Sequence, residues 1–251
     1  MKELYVVGRN PVLELLKTEK EIDKIYVLKG ELQGSIRKII GIARDRNIII
    51  QEVDKGKLDT MSKGNAHQGV AALVSGFKYS TIEDILNKAN EAKEDPFIII
   101  LDEIEDPHNL GAIIRTAECA GVHGVIIPKR RAARVNQTVY KSSAGAVEHV
   151  LIADVTNISN TIEELKKKGL WIYGADVHGQ DYYFDTSLNG PIALVIGNEG
   201  KGISRLVKDK CDVLVKIPMY GQVSSLNASA SAAILIYEVV KQNHEKEKPG
   251  T

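Results

Sequence analysis

Three segments of this 251-residue chain combine polar side chains, glycines and turn-forming residues in patterns that could do chemistry. The first is Asp106-Pro-His-Asn-Leu-Gly-Ala-Ile-Ile-Arg115. Its Leu110, Ile113 and Ile114, with Ala117 beyond, follow the i, i+3, i+4, i+7 rule of a helix face turned to a core. Asn109 stands where an N-cap belongs, and Arg115 falls off the apolar stripe. A helix N-terminus with an arginine nearby suits an anion such as phosphate. Taken alone, the segment reads more simply as a capped surface helix with a solvated arginine.

The second segment is Ile196-Gly-Asn-Glu-Gly-Lys-Gly202, at the end of an apolar run. Glycines there let backbone approach a ligand closely. The G-x-x-G-x-G spacing matches neither the Walker A loop nor the dinucleotide fingerprint, so phosphate cradling has weak support. A tight turn accounts for one or two glycines but not for Glu199 among them. The third segment joins Ile217-Pro-Met219 to Ser224-Ser-Leu-Asn227 and an Ala/Ser-rich helix. Capping needs one of Ser224, Ser225 and Asn227, hardly all three. Three other features have plainer readings. His108 suits a solvated loop, His67 in Asn65-Ala-His-Gln-Gly-Val70 suits a turn, and the run Lys129–Arg134 suits a solvated loop or a phosphate contact.

The elements that must hold these segments show in the hydrophobic pattern. From Pro96 onward, short apolar runs at Phe97–Leu101, Gly124–Ile127, Leu170–Tyr173, Ile192–Ile196 and Val213–Ile217 alternate with helical stretches. The helical stretches are Leu110–Ala120, Asn160–Lys168, Ile203–Lys210 and Ser224–Gln242. Continuous apolar strands alternating with helices predict an α/β domain whose parallel sheet is covered on both faces. Ligands of such sheets bind at the C-terminal ends of the strands, where all three segments fall. Residues 1–77 predict a small α/β unit: strands at Ile22–Leu28, Asn47–Val53 and Val70–Val74, and a helix over 31–46. Residues 78–95 read as a linker with a helical middle, residues 96–243 as the main domain and 244–251 as a flexible tail.

Composition narrows the function classes. The formal net charge is zero, but residues 1–78 carry 14 Lys and Arg against 10 Asp and Glu, and the remainder 19 against 23. This mild asymmetry permits nucleic-acid binding by the first unit without requiring it. Two cysteines without a CxxC pair, and histidines that do not cluster with them, speak against a metal site or a disulfide framework. No apolar run approaches the ~20 residues of a membrane span, and the N-terminus lacks a signal-peptide core, so a cytoplasmic protein is expected. Aromatic residues are 5% of the chain, which argues against a large nucleotide-stacking platform.

In order and spacing, the three segments together resemble the SpoU/TrmH branch of the SPOUT RNA 2′-O-ribose methyltransferases. The resemblance spans roughly residues 96–242. Residues 4–77, ending in His67-Gln-Gly-Val70, look like the small L30e-like substrate-binding domain that some members carry. With that domain, the whole chain is most similar to the bacterial enzymes that methylate a guanosine of 23S rRNA. The resemblance implies a trefoil-knotted C-terminal domain, which periodicity alone could never suggest. It also implies S-adenosylmethionine as cofactor, contacted at Ile196, Gly197, Ile217, Met219 and Leu226, with no metal. Catalysis is implied around Arg115, with Asn109, Glu199, Ser225 and Asn227 about it. Glu199 is expected to orient Arg115 or its neighbour. Ser225 and Asn227 are expected to shape the ribose site. A guanidinium is a poor general base, so orientation and charge stabilisation are expected of Arg115 before proton acceptance. RNA, 23S rRNA first, and a second copy of the chain are the implied partners, the helix 224–240 being the contact surface. Tyr220 stands where the family pattern has Ala, a change that bears on pocket size. Three other readings stand beside this one: the same reaction on tRNA, a non-catalytic RNA-binding or ribosome-assembly protein, and a nucleotide-binding protein using the Gly197–Gly202 loop.

Overall fold

The computed structural model describes residues 4–18, 20, 22–30, 34–74 and 77–247. In chain order the elements are β1 (Leu4–Val7), α1 (Arg9–Lys17), β2 (Ile22–Leu28), α2 (Ser35–Asp45), β3 (Ile50–Val53), α3 (Lys55–Ser62) and β4 (Val70–Val74). They continue with α4 (Ile82–Ala92), β5 (Phe97–Asp102), α5 (Pro107–Cys119), β6 (Gly124–Pro128), α6 (Gln137–Ser142), β7 (Leu151–Val155) and α7 (Ile158–Lys167). The last are β8 (Trp171–Ala175), β9 (Asp181–Tyr182), β10 (Ile192–Gly197), α8 (Arg205–Lys208), β11 (Val213–Lys216) and α9 (Ala228–Glu247). The chain forms two compact units, Met1–Lys78 with Arg134–His149, and Tyr79–Ala133 with Val150–Thr251.

The first unit is built on a four-stranded sheet of order β1-β4-β2-β3, in which only β2 and β3 run parallel. Helix α1 buries Pro11, Val12, Leu15 and Leu16, and α2 buries Ile36, Ile39, Ile40 and Ala43, each along one helical stripe. The two helices pack on each other. A second cluster joins Leu58 and Met61 of α3 to Val7, Tyr26, Val53 and Ala71 of the sheet. Helix α6, drawn from the middle of the chain, packs on β1, and its Gln137 Nε2 donates to the Met61 carbonyl at 2.5 Å. A shielded ion pair also belongs to this unit: Lys20 Nζ lies 3.2 Å from Glu148 Oε1 and 2.5 Å from the Tyr140 hydroxyl.

The second unit holds a seven-stranded sheet of order β7-β6-β5-β10-β8-β11-β9, with every pairing parallel. Alternation along the strands divides the core between two faces. Ile98, Ile100, Ile126, Ile172 and Val195 meet Ile85 of α4 and Ile162 and Leu165 of α7 in one cluster. On α5 and α9, which pack against each other, Leu110, Ile113, Ile114 and Ala117 are buried, as are Ala232, Leu235, Ile236 and Val239. Among the described residues no helix is long and apolar enough to cross a membrane.

Several boundaries differ from the sequence reading, for identifiable reasons. Asp106, not Asn109, caps α5: its Oδ1 accepts from the His108 amide at 2.9 Å and Pro107 fills the first helical position. Proline there has no N–H to leave unpaired and a φ already suited to the helix. Asn109 is therefore inside the first turn and buried. Helix α9 begins at Ala228, where Asn227 Oδ1 accepts from the amides of Ser229 and Ala230, so Ser224 and Ser225 lie in the preceding loop. It runs on to Glu247 through Lys, Gln and Glu residues of good helix propensity, into the stretch expected as a tail. The helix expected over 203–210 is only Arg205–Lys208. Of the helix expected over 31–46, residues 31–33 lie outside the described residues, as do tail residues 248–251.

Candidate active site

The C-terminal ends of β8, β10 and β11 meet around a cavity of about 500 Å³ in the second unit. Parallel strands leave their ligand crevice at this end because the connecting loops gather there. Ile196 and Gly197 end β10, Asp176 follows β8, and Ile217 and Met219 follow β11; Ser224, Ser225 and Leu226 come from the loop before α9. All five positions expected to contact a cofactor, Ile196, Gly197, Ile217, Met219 and Leu226, line this one cavity, together with Glu199 and Ser225.

The glycine requirement at 197 has a direct cause. A Cβ at Gly197 would overlap the carbonyl carbon of Gly202 and the amide nitrogen of Ile203. The loop doubles back so tightly that Asn198 and Gly202 exchange backbone hydrogen bonds of 3.0 and 2.7 Å. Asn198 fixes the turn further, donating from Nδ2 to the Glu103 carbonyl at 3.1 Å and accepting from the Gly200 amide at 3.0 Å. Asp102 holds the loop's far end by accepting from the Ser204 amide at 2.7 Å. A comparable approach occurs at Gly179, where a Cβ would lie 2.7 Å from the Leu214 carbonyl oxygen of β11.

This turn delivers Glu199 to a polar cluster. Its Oε1 accepts from Asn109 Nδ2 at 2.9 Å, from the Ala228 amide at 3.2 Å, and from Asn227 Nδ2. Asn227 Nδ2 also donates to Asn109 Oδ1 at 3.0 Å. Three of the expected residues thus meet on one carboxylate oxygen. Arg115 does not join them. It is exposed on α5, and among the described residues no hydrogen bond or ion pair engages it. It lies six positions beyond Asn109, about 9 Å along the axis and well around the helix. Of the partners expected for Glu199, Arg115 or its neighbour, the structure pairs Glu199 with Asn109, on the same helix as Arg115, and with Asn227. Tyr220, expected to bear on pocket size, is 94% exposed and does not line the cavity.

Sequence reasoning missed Asp176 and Lys208. Asp176 is buried, pairs with Lys208 Nζ, and accepts from the His178 amide at 2.8 Å. The available signal was position, since Asp176 directly follows the strand that ends in Gly174-Ala175. In β8, a Cβ at Gly174 would meet Cys211 Sγ at 2.8 Å. Burial, helped by the neighbouring Asp212 carboxylate, pushes the Cys211 thiol up to about 12, so it is no nucleophile. His67 proves a turn organiser, accepting from the Gly69 amide at Nδ1 (2.9 Å) with Nε2 3.1 Å from Asp59.

Comparison with known proteins shows the family. Residues 96–237 match the model of the SpoU rRNA methylase family, and residues 5–80 match the RNA 2′-O ribose methyltransferase substrate-binding family. The chain belongs to the SpoU methylase family. As a SpoU-family protein it is an RNA methyltransferase that uses S-adenosylmethionine. It is 47% identical over 240 residues, 96% of either chain, to YacO of Bacillus subtilis, assigned to the TrmH family of tRNA/rRNA methyltransferases. Its fold matches the SpoU methyltransferase AviRb of Streptomyces viridochromogenes, solved with AdoMet, at a TM-score of 0.81 and 27% identity over 96% of this chain and 91% of that one. It also matches a TrmH/SpoU tRNA modifying enzyme of A. aeolicus at a TM-score of 0.56 and 26% identity, covering 64% of this chain and 85% of that one.

The cavity fits the cofactor on its own terms. About 500 Å³ lies in the range of small-molecule sites. Its charged lining is balanced, with Asp176 paired to Lys208 and Glu199 and Lys201 beside them, so no excess of positive charge opposes a sulfonium cation or favours a triphosphate.

Proposed function

We propose that this SpoU-family chain methylates a ribose 2′-hydroxyl of RNA, at a guanosine of 23S rRNA, acting as a cytoplasmic homodimer. The observation that carries the reading is the adjacency of the cavity and the Asn109–Glu199–Asn227 cluster, joined through Glu199, which belongs to both. Bound S-adenosylmethionine supplies a methyl group on a positively charged sulfur, open to displacement by an oxygen nucleophile. Ile196, Gly197, Ile217, Met219 and Leu226, which line the cavity, would hold it.

The remaining work is positioning an RNA hydroxyl and managing its proton. Glu199 Oε1 is occupied by three donors, while among the described residues Oε2 has no partner and is free to accept from a ribose hydroxyl. Asn109 and Asn227 hold that carboxylate in place, and Ser225 on the cavity wall shapes the ribose site. Positioning of this kind supplies a large share of a displacement's acceleration. Arg115 stabilises charge as the hydroxyl loses its proton. Its exposure, and its lack of a partner among the described residues, support assembly of the complete site across a homodimer, with α5 and α9 as the contact surface. The match of residues 5–80 to a substrate-binding family supports RNA capture by the first unit. Methyl transfer from labelled S-adenosylmethionine to unmodified 23S rRNA and to tRNA, with the product mapped to an alkali-resistant ribose, tests the reading. Label only in tRNA would replace the rRNA substrate, and label on a base would refute the hydroxyl as acceptor.

A further inference from the structure

Aromatic residues are sparse in this chain, yet three consecutive ones, Tyr182, Tyr183 and Phe184, form a single turn. The rings of Tyr182 and Phe184 are parallel, 5.3 Å between centroids and 6° between planes, and Tyr183 meets Phe184 edge-on at 5.0 Å. Lys216 Nζ lies 4.7 Å from the Tyr182 ring centroid. Despite this mutual packing, Tyr182 remains 40% exposed and Phe184 45%.

The turn is held firmly and in a telling place. Thr186 Oγ1 donates to the Tyr182 carbonyl at 2.9 Å, and Gln242 of α9 clamps the following segment by donating to the Thr186 carbonyl (3.1 Å) and accepting from the Leu188 amide (2.8 Å). Strand β9 pairs with β11 so that Tyr182 lies beside Lys216, and the next residue, Ile217, lines the cofactor cavity. Val177 and His178, which lead into β9, line it too.

We propose that the Tyr182–Phe184 turn is a nucleobase-stacking subsite, which takes an unpaired base of the RNA substrate next to the cofactor cavity. Flat, exposed, preorganised rings stack a base of any sequence. Asp181 and Asp185 flank the turn and offset Lys216, so it attracts the face of a base and not the phosphate chain. The same charges disfavour a second protein copy as the occupant, because interface centres are depleted of Asp and Lys. The inference rests on the RNA methyl-transfer reading and adds a contact to it.

The test measures binding of the full chain to an unmodified 23S rRNA transcript, with Tyr182→Leu, Phe184→Leu and Phe184→Trp compared to wild type. Leucine keeps apolar volume and removes the ring; tryptophan keeps a ring. The leucine variants should bind the transcript at least roughly fivefold more weakly. The slope of log affinity against log salt should stay unchanged, since no phosphate contact is lost. S-adenosylhomocysteine affinity, Tm and sedimentation should also stay unchanged, and Phe184→Trp should bind as wild type does. Leucine variants that bind RNA normally, in a chain whose wild type methylates RNA, would overturn the stacking subsite alone. A fall in sedimentation coefficient would overturn it by assigning the turn to a second copy. A wild type that neither binds nor methylates RNA would overturn both the subsite and the reading beneath it.

Discussion

Asn109 and Asn227, 118 positions apart, are joined by a 3.0 Å hydrogen bond from Nδ2 of Asn227 to Oδ1 of Asn109, and both donate to Glu199 Oε1. Every polar atom of the Asn227 amide is used, since its Oδ1 caps α9. Asn227→Asp would remove both donors and set a second carboxylate against Glu199. We predict a loss of methyl transfer of at least tenfold, with S-adenosylhomocysteine affinity changed less. Calorimetry beside a turnover assay checks this, and equal losses in both would place Asn227 in cofactor binding instead.

Gly197 and Gly221 make a controlled pair. A Cβ at 197 runs into backbone, whereas nothing lies within 4 Å of one at Gly221. Gly197→Ala should cost about 1–3 kcal/mol of stability, the usual range for overpacking, and abolish measurable cofactor binding. Gly221→Ala should do neither. Denaturant midpoints and calorimetry of the two variants decide it.

How much of this was legible beforehand follows from the kind of signal each feature leaves. The strands of the second unit were readable because parallel strands covered on both faces are continuous apolar runs, as in Phe97–Leu101 and Ile192–Ile196. The five cavity residues were reachable only through the family pattern, since Ile217 and Leu226 leave no periodic trace of facing a ligand. Asn109 was misread as a cap because an asparagine before an apolar stripe is ambiguous; the proline at 107 and Asp106 ahead of it were the better signal. Helix α6 lies within the span of the second unit's sequence and packs with the first, and local pattern carries no record of such a partner. The separation of Arg115 from Glu199 is a matter of helical phase and tertiary placement, beyond what motif order encodes.

His123 gives the fold a pH dependence. It is buried, its Nδ1 accepts from the Phe97 amide at 3.0 Å, and its Nε2 lies 3.2 Å from Glu94. Burial lowers its pKa from 6.5, with Glu94 opposing the shift. A base whose folded pKa lies below its unfolded value loses stability as pH falls below the unfolded value, and the loss ends once the folded imidazole is itself protonated. Unfolding free energy should therefore decline as pH drops below about 6.5. His123→Asn, which can keep an acceptor for the Phe97 amide, should flatten that decline in urea titrations across the pH range.

The Lys20–Glu148 pair in the first unit is shielded, with side-chain exposures of 18% and 4%. Removing one partner strands the other, so Glu148→Ala should cost roughly 3 kcal/mol, while Lys20→Met combined with Glu148→Leu should recover most of it. Additive losses in the double variant would show that the pair itself is not the source.

Thiol chemistry provides a quick check on the packing around β8. Cys119 is exposed, whereas Cys211 is packed against Gly174 with its thiol pushed up to about 12. At neutral pH Cys119 should react rapidly with a disulfide reagent and Cys211 much more slowly; two equally fast thiols would contradict the packing.

The most direct test of the central claim is transfer of label from S-adenosylmethionine to unmodified 23S rRNA by wild type and by Arg115→Ala. Wild type should place label at one alkali-resistant ribose, and Arg115→Ala should lose it with S-adenosylhomocysteine binding intact. Undiminished transfer by Arg115→Ala, or no transfer to RNA by a wild type that binds the cofactor, would contradict that claim.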